Sequence, residues 1–198
     1  EPILWRVLRN DKNQIYLTAE YVLFAMPMHQ DYDEYAKIGA DFGQTELSSY
    51  LNQVFAKEAF TDEELQMLIP LETFGKVFLL SSADVKDTSI GLGTGKGLRC
   101  WATEYAVRVT GVYVFEVANG SHSAYWVREQ STTDKRHARC TKHDGSLGHI
   151  IADRDNEGVR PAVLLDSSSF SIVSGSGTKE EPYVLIPAVE AETQDFTE

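Results

Sequence analysis

Apolar and polar positions change period part-way along the chain. Ile3 to Arg9 (I-L-W-R-V-L-R) reads as a strand, and the turn Asn10-Asp11-Lys12-Asn13 separates it from a second run, Gln14 to Thr18. That pairing is a hairpin signal. Residues 20 to 44 hold many aromatics and acids (Asp31, Tyr32, Asp33, Glu34, Tyr35) but no clean period, and predict irregular structure. Over Thr45 to Lys57 the apolar residues Leu47, Tyr50, Leu51, Val54 and Phe55 fall on one helical face. Thr61 then offers an N-cap oxygen, Glu64 closes a capping box, and Phe60 is placed to staple onto Leu65. This second helix runs to about Leu68 and stops before Pro70. Lys76 to Leu80 is a short apolar strand.

The second half is written differently. Residues 86 to 98 are glycine-rich loop and Thr103 to Val109 has weak helical character. Short strands follow between turn residues: Val112 to Val117, Ala124 to Arg128, Ala138 to Thr141, Leu147 to Ile151, Val159 to Leu165 and Phe170 to Val173. Helices first and antiparallel strands second predict an α+β domain. The expected division is a domain over residues 1–173, then residues 174–198 as a Gly/Ser linker (Ser174-Gly175-Ser176-Gly177-Thr178), a short strand near Tyr183 to Ile186, and an acidic tail from Glu190 to Glu198 expected to fray. One segment is odd. In Gly158-Val159-Arg160-Pro161-Ala162-Val163-Leu164-Leu165 an arginine and a proline interrupt an apolar run. Proline removes a ladder donor and belongs at a strand end, edge or bulge, and the arginine must be held by something specific.

Length favours one domain, and no apolar run approaches the roughly 18 residues of a membrane helix, so no membrane insertion is expected. A net charge of -12 argues against nucleic acid, whose phosphates need clustered Lys and Arg. The charge is uneven, however. Residues 128 to 149 gather Arg128, Lys135, Arg136, Arg139 and Lys142 with three histidines against Glu129, Asp134 and Asp144. A basic island on an acidic protein is a candidate ligand face. The chain begins at Glu1 without a basic or apolar leader, which fits either a processed secreted protein or an excised piece of a longer one. Cys100 and Cys140 have no metal-ligand spacing. They form either one disulfide, in an oxidising compartment, or two buried thiols.

Candidate chemistry is thin. Gly91-Leu92-Gly93-Thr94-Gly95-Lys96-Gly97 fails as a phosphate loop because no glycine stands five before Gly95 and Gly97 replaces the hydroxyl residue. Asp153, Asp155 and Glu157 resemble the start of a calcium loop, but its twelfth position is Leu164. A polar turn explains those residues as well. No cofactor is indicated. No histidine pair has helical ligand spacing, and Ser121-His122-Ser123 lacks a nucleophile's surroundings. Trp126 and Arg128 share one strand face, which either opens on a groove or is half-buried core.

The motifs in order do carry a resemblance: Pro2-Ile3-Leu4-Trp5-Arg6-Val7-Leu8, Tyr50-Leu51-Asn52-Gln53-Val54-Phe55, Lys76-Val77-Phe78-Leu79-Leu80-Ser81, Tyr125-Trp126-Val127-Arg128 and Gly158-Val159-Arg160-Pro161-Ala162. Over residues 2 to 166 the chain resembles a bacterial domain family of unknown function found in secreted and cell-surface proteins, distantly similar to the C-type-lectin-like fold of formylglycine-generating enzymes. The resemblance implies that Ile3–Arg9 and Val159–Leu165 pair antiparallel, that two helices flank the sheet, and that ligands meet the loops of the second half. The sugar-site triplets of calcium-dependent lectins and the cysteine pattern of the oxidases are missing. Glu129-Gln130-Ser131 also stands where the family has Ser-Pro-Gly. The expected function is therefore an extracellular, non-enzymatic binding or display module, secreted or on a bacterial surface and possible as part of a longer surface protein. Its glycan or protein ligand would be met by Trp126, Arg128, Lys135, Arg136, His137 and Arg139. The alternatives are an enzyme, related to sulfatase-modifying factors or a hydrolase, and a structural spacer.

Overall fold

The computed structural model describes residues 2–93, 95–117 and 120–188, so the acidic stretch from Glu190 lies outside the described residues. β1 (Trp5–Asp11) and β2 (Gln14–Ala19) form the expected hairpin, Trp5 opposite Ala19 and Asp11 opposite Gln14. The short strand β3 (Phe24–Ala25) follows. Asp31 then caps α1 (Tyr32–Ile38) by accepting from the N–H groups of Asp33 and Glu34, and Gly39 at φ 77° ends it. This helix replaces the irregular structure expected over residues 20–44. It is too short to build an apolar stripe, and its buried residue is Tyr35, so the legible signal was the cap and not the period.

Residues 46–59 are one continuous helix, made of α2 (Glu46–Tyr50), a π turn at Leu51–Phe55 and α3 (Ala56–Ala59). Thr45 caps it through the Ser48 N–H. Leu47, Leu51 and Phe55 are buried as the periodicity requires, but Val54 is exposed because the π turn widens the helix past Leu51. α4 (Asp62–Met67) starts with both halves of the Thr61–Glu64 capping box formed. Beyond it come β4 (Leu68–Ile69), β5 (Val77–Leu79), α5 (Ser82–Lys86) and α6 (Glu104–Arg108). The strands of the second half are β6 (Val114–Val117), β7 (Gly120–Ser123), β8 (Tyr125–Gln130), β9 (His137–Thr141), β10 (Leu147–Ile151), β11 (Gly158–Val159), β12 (Pro161–Asp166), β13 (Phe170–Ser174) and β14 (Val184–Pro187). The architecture is α+β.

Two mixed-length sheets share one core. The first runs β1-β2-β12-β4, with β5 on the same edge of β12 as β4. The implied pairing of Ile3–Arg9 with Val159–Leu165 is not formed: β12 pairs antiparallel with β2, Val163 opposite Leu17, and β1 lies outside β2. Burial decides the order. β2 is sequestered from Tyr16 to Ala19, whereas β1 carries Arg6 and Arg9 and is suited to an edge. The second sheet runs β10-β9-β8-β11-β3, with β11 parallel to β8 at Gly158 and Tyr125.

Arg160 is the point at which one stretch of chain changes sheets. Gly158 and Val159 belong to the second sheet and Pro161 starts β12 in the first, at a strand's first position where a missing donor costs least. Arg160 is 3% exposed; its Nε donates to the Ala19 carbonyl at 2.8 Å and its guanidinium lies 5.3 Å from the Tyr125 ring centre. Nη1 also reaches the Tyr125 hydroxyl at 3.4 Å. The arginine thus ties the end of β2 to β8 across the junction. A second tie is Asn52, whose Nδ2 donates to the carbonyls of Ser48, Phe74 and Val77 while Oδ1 accepts from the N–H of Lys76 and Val77. One side chain so locks the π-turn helix to the start of β5.

The expected boundary at residues 173 and 174 falls inside a hairpin. β13 pairs with β14, Ile172 opposite Leu185, and Leu185 packs on the main core. Between those strands Lys179 returns to the first sheet, its Nζ 3.6 Å from Glu20 and 4.8 Å from the Tyr21 ring centre.

Candidate functional site

The six expected contact residues divide into two groups. Trp126 is not at a groove. It is fully buried, and its Nε1–H donates to the Met26 carbonyl at 2.9 Å. Arg128 is turned to the protein as well. Its Nη1 donates to the Leu79 carbonyl at 2.8 Å and stands 3.5 Å from Asp84, and the guanidinium lies over Phe74. Strand alternation places the two residues on one face, but between Trp126 and Gln130 the pairing of β8 with β9 slips; Arg128 is covered by the β5 and α5 segments, and the Trp126 indole reaches Met26.

Asp84 organises that covered side. It accepts from the Ser81 N–H at 2.7 Å, which completes the capping box of α5, and also from the Tyr16 hydroxyl at 3.0 Å. Burial, with Asp84 adding to it, pushes the Tyr16 phenol well above its usual range. Glu129 accepts from the Ser82 N–H and hydroxyl, and Gln130 bridges the carbonyls of Tyr35 and Lys135. These bonds explain Glu129-Gln130-Ser131 in place of a proline turn: the segment is an anchor for α5 and α1. A pocket of about 160 Å³ beside Tyr16, Asp84 and Arg128 is lined by groups already bonded to one another.

Lys135, Arg136, His137 and Arg139 remain at the surface, on the turn before β9 and along its outer face. Ala138 and Cys140 alternate with them into the core. The register of β9 with β10 sets His149 opposite Arg139, and His137 and His149 meet diagonally with Nδ1 atoms 3.1 Å apart. That bond needs one of the two nitrogens without a proton. Asp134 lies 3.7 Å from His137, and Thr133 reaches Nε2 of His149 at 3.4 Å. Arg136 is committed to α1: its Nε donates to Asp33 at 2.7 Å and the guanidinium rests over Tyr32. Arg136 stays exposed but engaged by Asp33, and Lys135, Arg139 and the histidine pair stand beside it. His149 was missing from the expected set because its place depends on cross-strand register, which periodicity within one strand does not give.

Asp153, Asp155 and Glu157 do not converge. Among the described residues no group of three or more His, Cys, Asp and Glu side chains is placed to hold a metal ion. Glu157 is turned inward as the chain enters β11, where the Gly158 N–H bonds the Ala124 carbonyl. Cys100 and Cys140 are both buried free thiols in separate packing clusters. Burial raises the pKa of each, so neither is poised as a thiolate.

Residues 12–167 match a family model described as a domain of unknown function, DUF6273. The chain belongs to the DUF6273 family. The matched span of the DUF6273 domain runs from the β1–β2 turn to the residue after β12 and so contains the sheet switch, both helices that flank Asn52 and the β9–β10 ribbon. β13 and β14 follow it. No curated protein and no solved structure matches the chain. Among the described residues no helix of the DUF6273 domain is long and apolar enough to cross a membrane.

Proposed function

We propose that this DUF6273 domain is a non-enzymatic binding or display module of a secreted or cell-surface bacterial protein, with its ligand, a glycan or a protein, met by the second half of the chain. The observation that carries this reading is the β9–β10 ribbon, where Lys135, Arg139, His137 and His149 stand together at the surface while their strand neighbours Ala138 and Cys140 are fixed in the core. Arg136 and Gln130 pin the preceding turn to α1, so the groups are held on a rigid support and lose little freedom on binding. A positive face on a chain of net charge -12 also selects for anionic partners. The ordered motifs, with a Gly158-Val159-Arg160-Pro161 strand closing the domain, support a scaffold of the C-type-lectin-like kind, although β2 and not β1 receives the closing strand.

The test is capture of ligands on a mixed glycan array and from bacterial surface extracts by the wild-type domain and by the double variant Lys135→Glu, Arg139→Glu. Lys135 is exposed and Arg139 half-buried on the outer face of β9, and thermal unfolding of the variant checks that it is folded. A loss of about tenfold or more in affinity at low salt is expected. Equal binding by both proteins would remove the ribbon from the contact surface.

A further inference from the structure

Four rings stand in file on another part of the second half. Trp101, 44% exposed, has its ring centre 4.6 Å from that of His122. His122 is the cross-strand partner of Phe115 in the β6–β7 ribbon, and directly opposed residues project from the same face. Phe115, 40% exposed, stacks on His143 with ring centres 4.0 Å apart and planes inclined by 20°. The row is assembled from four separate stretches of chain: the segment before α6, β7, β6 and the β9–β10 turn.

Each stretch is tied down. The Ser123 N–H bonds the Cys100 carbonyl at 2.9 Å, which fixes Trp101 beside β7. The turn carrying His143 is closed by the Gly145 N–H on the Lys142 carbonyl at 2.9 Å. Gly145 itself, at φ 88°, packs so closely on the Gly95 carbonyl that any side chain there would collide with it. The Arg99 Nε reaches the Asp144 carbonyl at 3.4 Å and joins the same two segments. His122 is 5% exposed and backs the row from beneath, whereas Trp101 and Phe115 are left to water, and rings fixed in that position are a cost unless something covers them.

The chemistry around the row selects what covers it. Imidazoles alternate with the indole and the phenyl ring, so polar nitrogens break up the apolar surface of the row. Arg99 is held through the Asp144 carbonyl, while the Asp144 carboxylate accepts from the Ser146 N–H and hydroxyl. Lys179 borders the other end, 6.0 Å from the Trp101 ring centre. Burial, and then the charge of nearby Arg99, lower the pKa of His122. Sugar rings offer flat C–H faces of positive edge character to aromatic rings, and uronic acids add carboxylates to that face.

We infer that the row Trp101, His122, Phe115 and His143, with Arg99 beside it, is a binding site for a linear acidic saccharide, whose sugar rings stack on Trp101 and Phe115 and whose carboxylate pairs with Arg99. The inference rests on the reading of the domain as a binding module and adds a surface and a ligand class to it.

The experiment titrates the whole domain with oligogalacturonate, alginate oligomers and hyaluronan fragments as acidic probes, and with cello- and malto-oligosaccharides as neutral ones. Tryptophan emission, with Trp101→Ala identifying the share of Trp101, and calorimetry provide the readouts. Saturable binding of an acidic probe is expected. It should weaken at least tenfold in Trp101→Ala and in Phe115→Ala, and Arg99→Gln should bring the acidic probe down to the neutral level. Thermal unfolding of each variant establishes that it is folded. Absence of binding to every acidic probe, binding unchanged in both ring variants, or equal affinity for neutral and acidic probes would overturn the inference. Acidic-probe binding lost in Lys135→Glu, Arg139→Glu but kept in the ring variants would overturn the row alone and leave the binding-module reading standing.

Discussion

Glu157 makes a quantitative prediction about pH. Its side chain is enclosed, with the residue 7% exposed and Oε1 lacking a hydrogen-bond partner among the described residues. Burial pushes its carboxyl from 4.5 up to about 7, and the Cys140 thiol and Arg154 pull it back only in part. The folded state therefore holds this proton more tightly than the unfolded state. Its contribution to stability is complete below about pH 4.5 and is lost as the pH rises to about 7. At about 1.4 kcal/mol per pH unit, the loss across that window is about 3 kcal/mol. Glu157→Gln keeps the shape and removes the titration. Urea unfolding of both proteins between pH 4 and pH 8 should show the stability difference moving by about 3 kcal/mol in favour of the glutamine variant. Comparison of the two proteins cancels the other titrating groups, which both share. A stability difference independent of pH would refute the burial argument.

The other perturbations address packing and polar ties. Trp126→Ala should destabilise the fold by about 3–5 kcal/mol, measured by chemical denaturation, because a fully buried indole and its bond to the Met26 carbonyl are both lost; a loss below about 1 kcal/mol would contradict a core position. Asn52→Ala leaves carbonyls and N–H groups of the Phe74–Val77 segment without their partner and should cost about 3 kcal/mol. Hydrogen exchange at Lys76 and Val77 should quicken in the same variant, and unchanged exchange there would argue against the clamp.

Much of the scaffold was legible because its signals are local. The Thr61–Glu64 box and the β1–β2 turn each depend on residues within a few positions of one another; the box forms as read, and the hairpin forms with its turn tightened from residues 10–13 to Lys12 and Asn13. The Leu47–Phe55 stripe was legible except at Val54, where a π turn changes the repeat without any composition that marks it. The site was less legible because each of its parts depends on distant partners. Trp126 alternates correctly for an exposed strand face, yet its indole is buried and bonded to the Met26 carbonyl 100 residues away in sequence. Arg160 was conspicuous as a charge in an apolar run, but its role required knowing that Gly158–Val159 and Pro161–Asp166 belong to different sheets. The ring row has no linear signature at all, since Trp101, Phe115, His122 and His143 meet only through the pairing of β6 with β7 and the placement of the β9–β10 turn.

The change of sheets at Arg160 also sets an order of events during synthesis. Residues 161–166 supply the central neighbour of β2, whose pairing positions lie at residues 14–18, and residues 158–159 join β8 to β3. Until that stretch leaves the ribosome, the first hairpin and the β8–β10 meander each present an open edge with no partner in the chain. Closure of both sheets then depends on a single late segment, whose pairing with residues 14–18 spans a long loop and carries a correspondingly large entropic cost. A nascent chain halted near residue 150 would be a client for chaperones, and one released beyond residue 166 can complete both sheets at once.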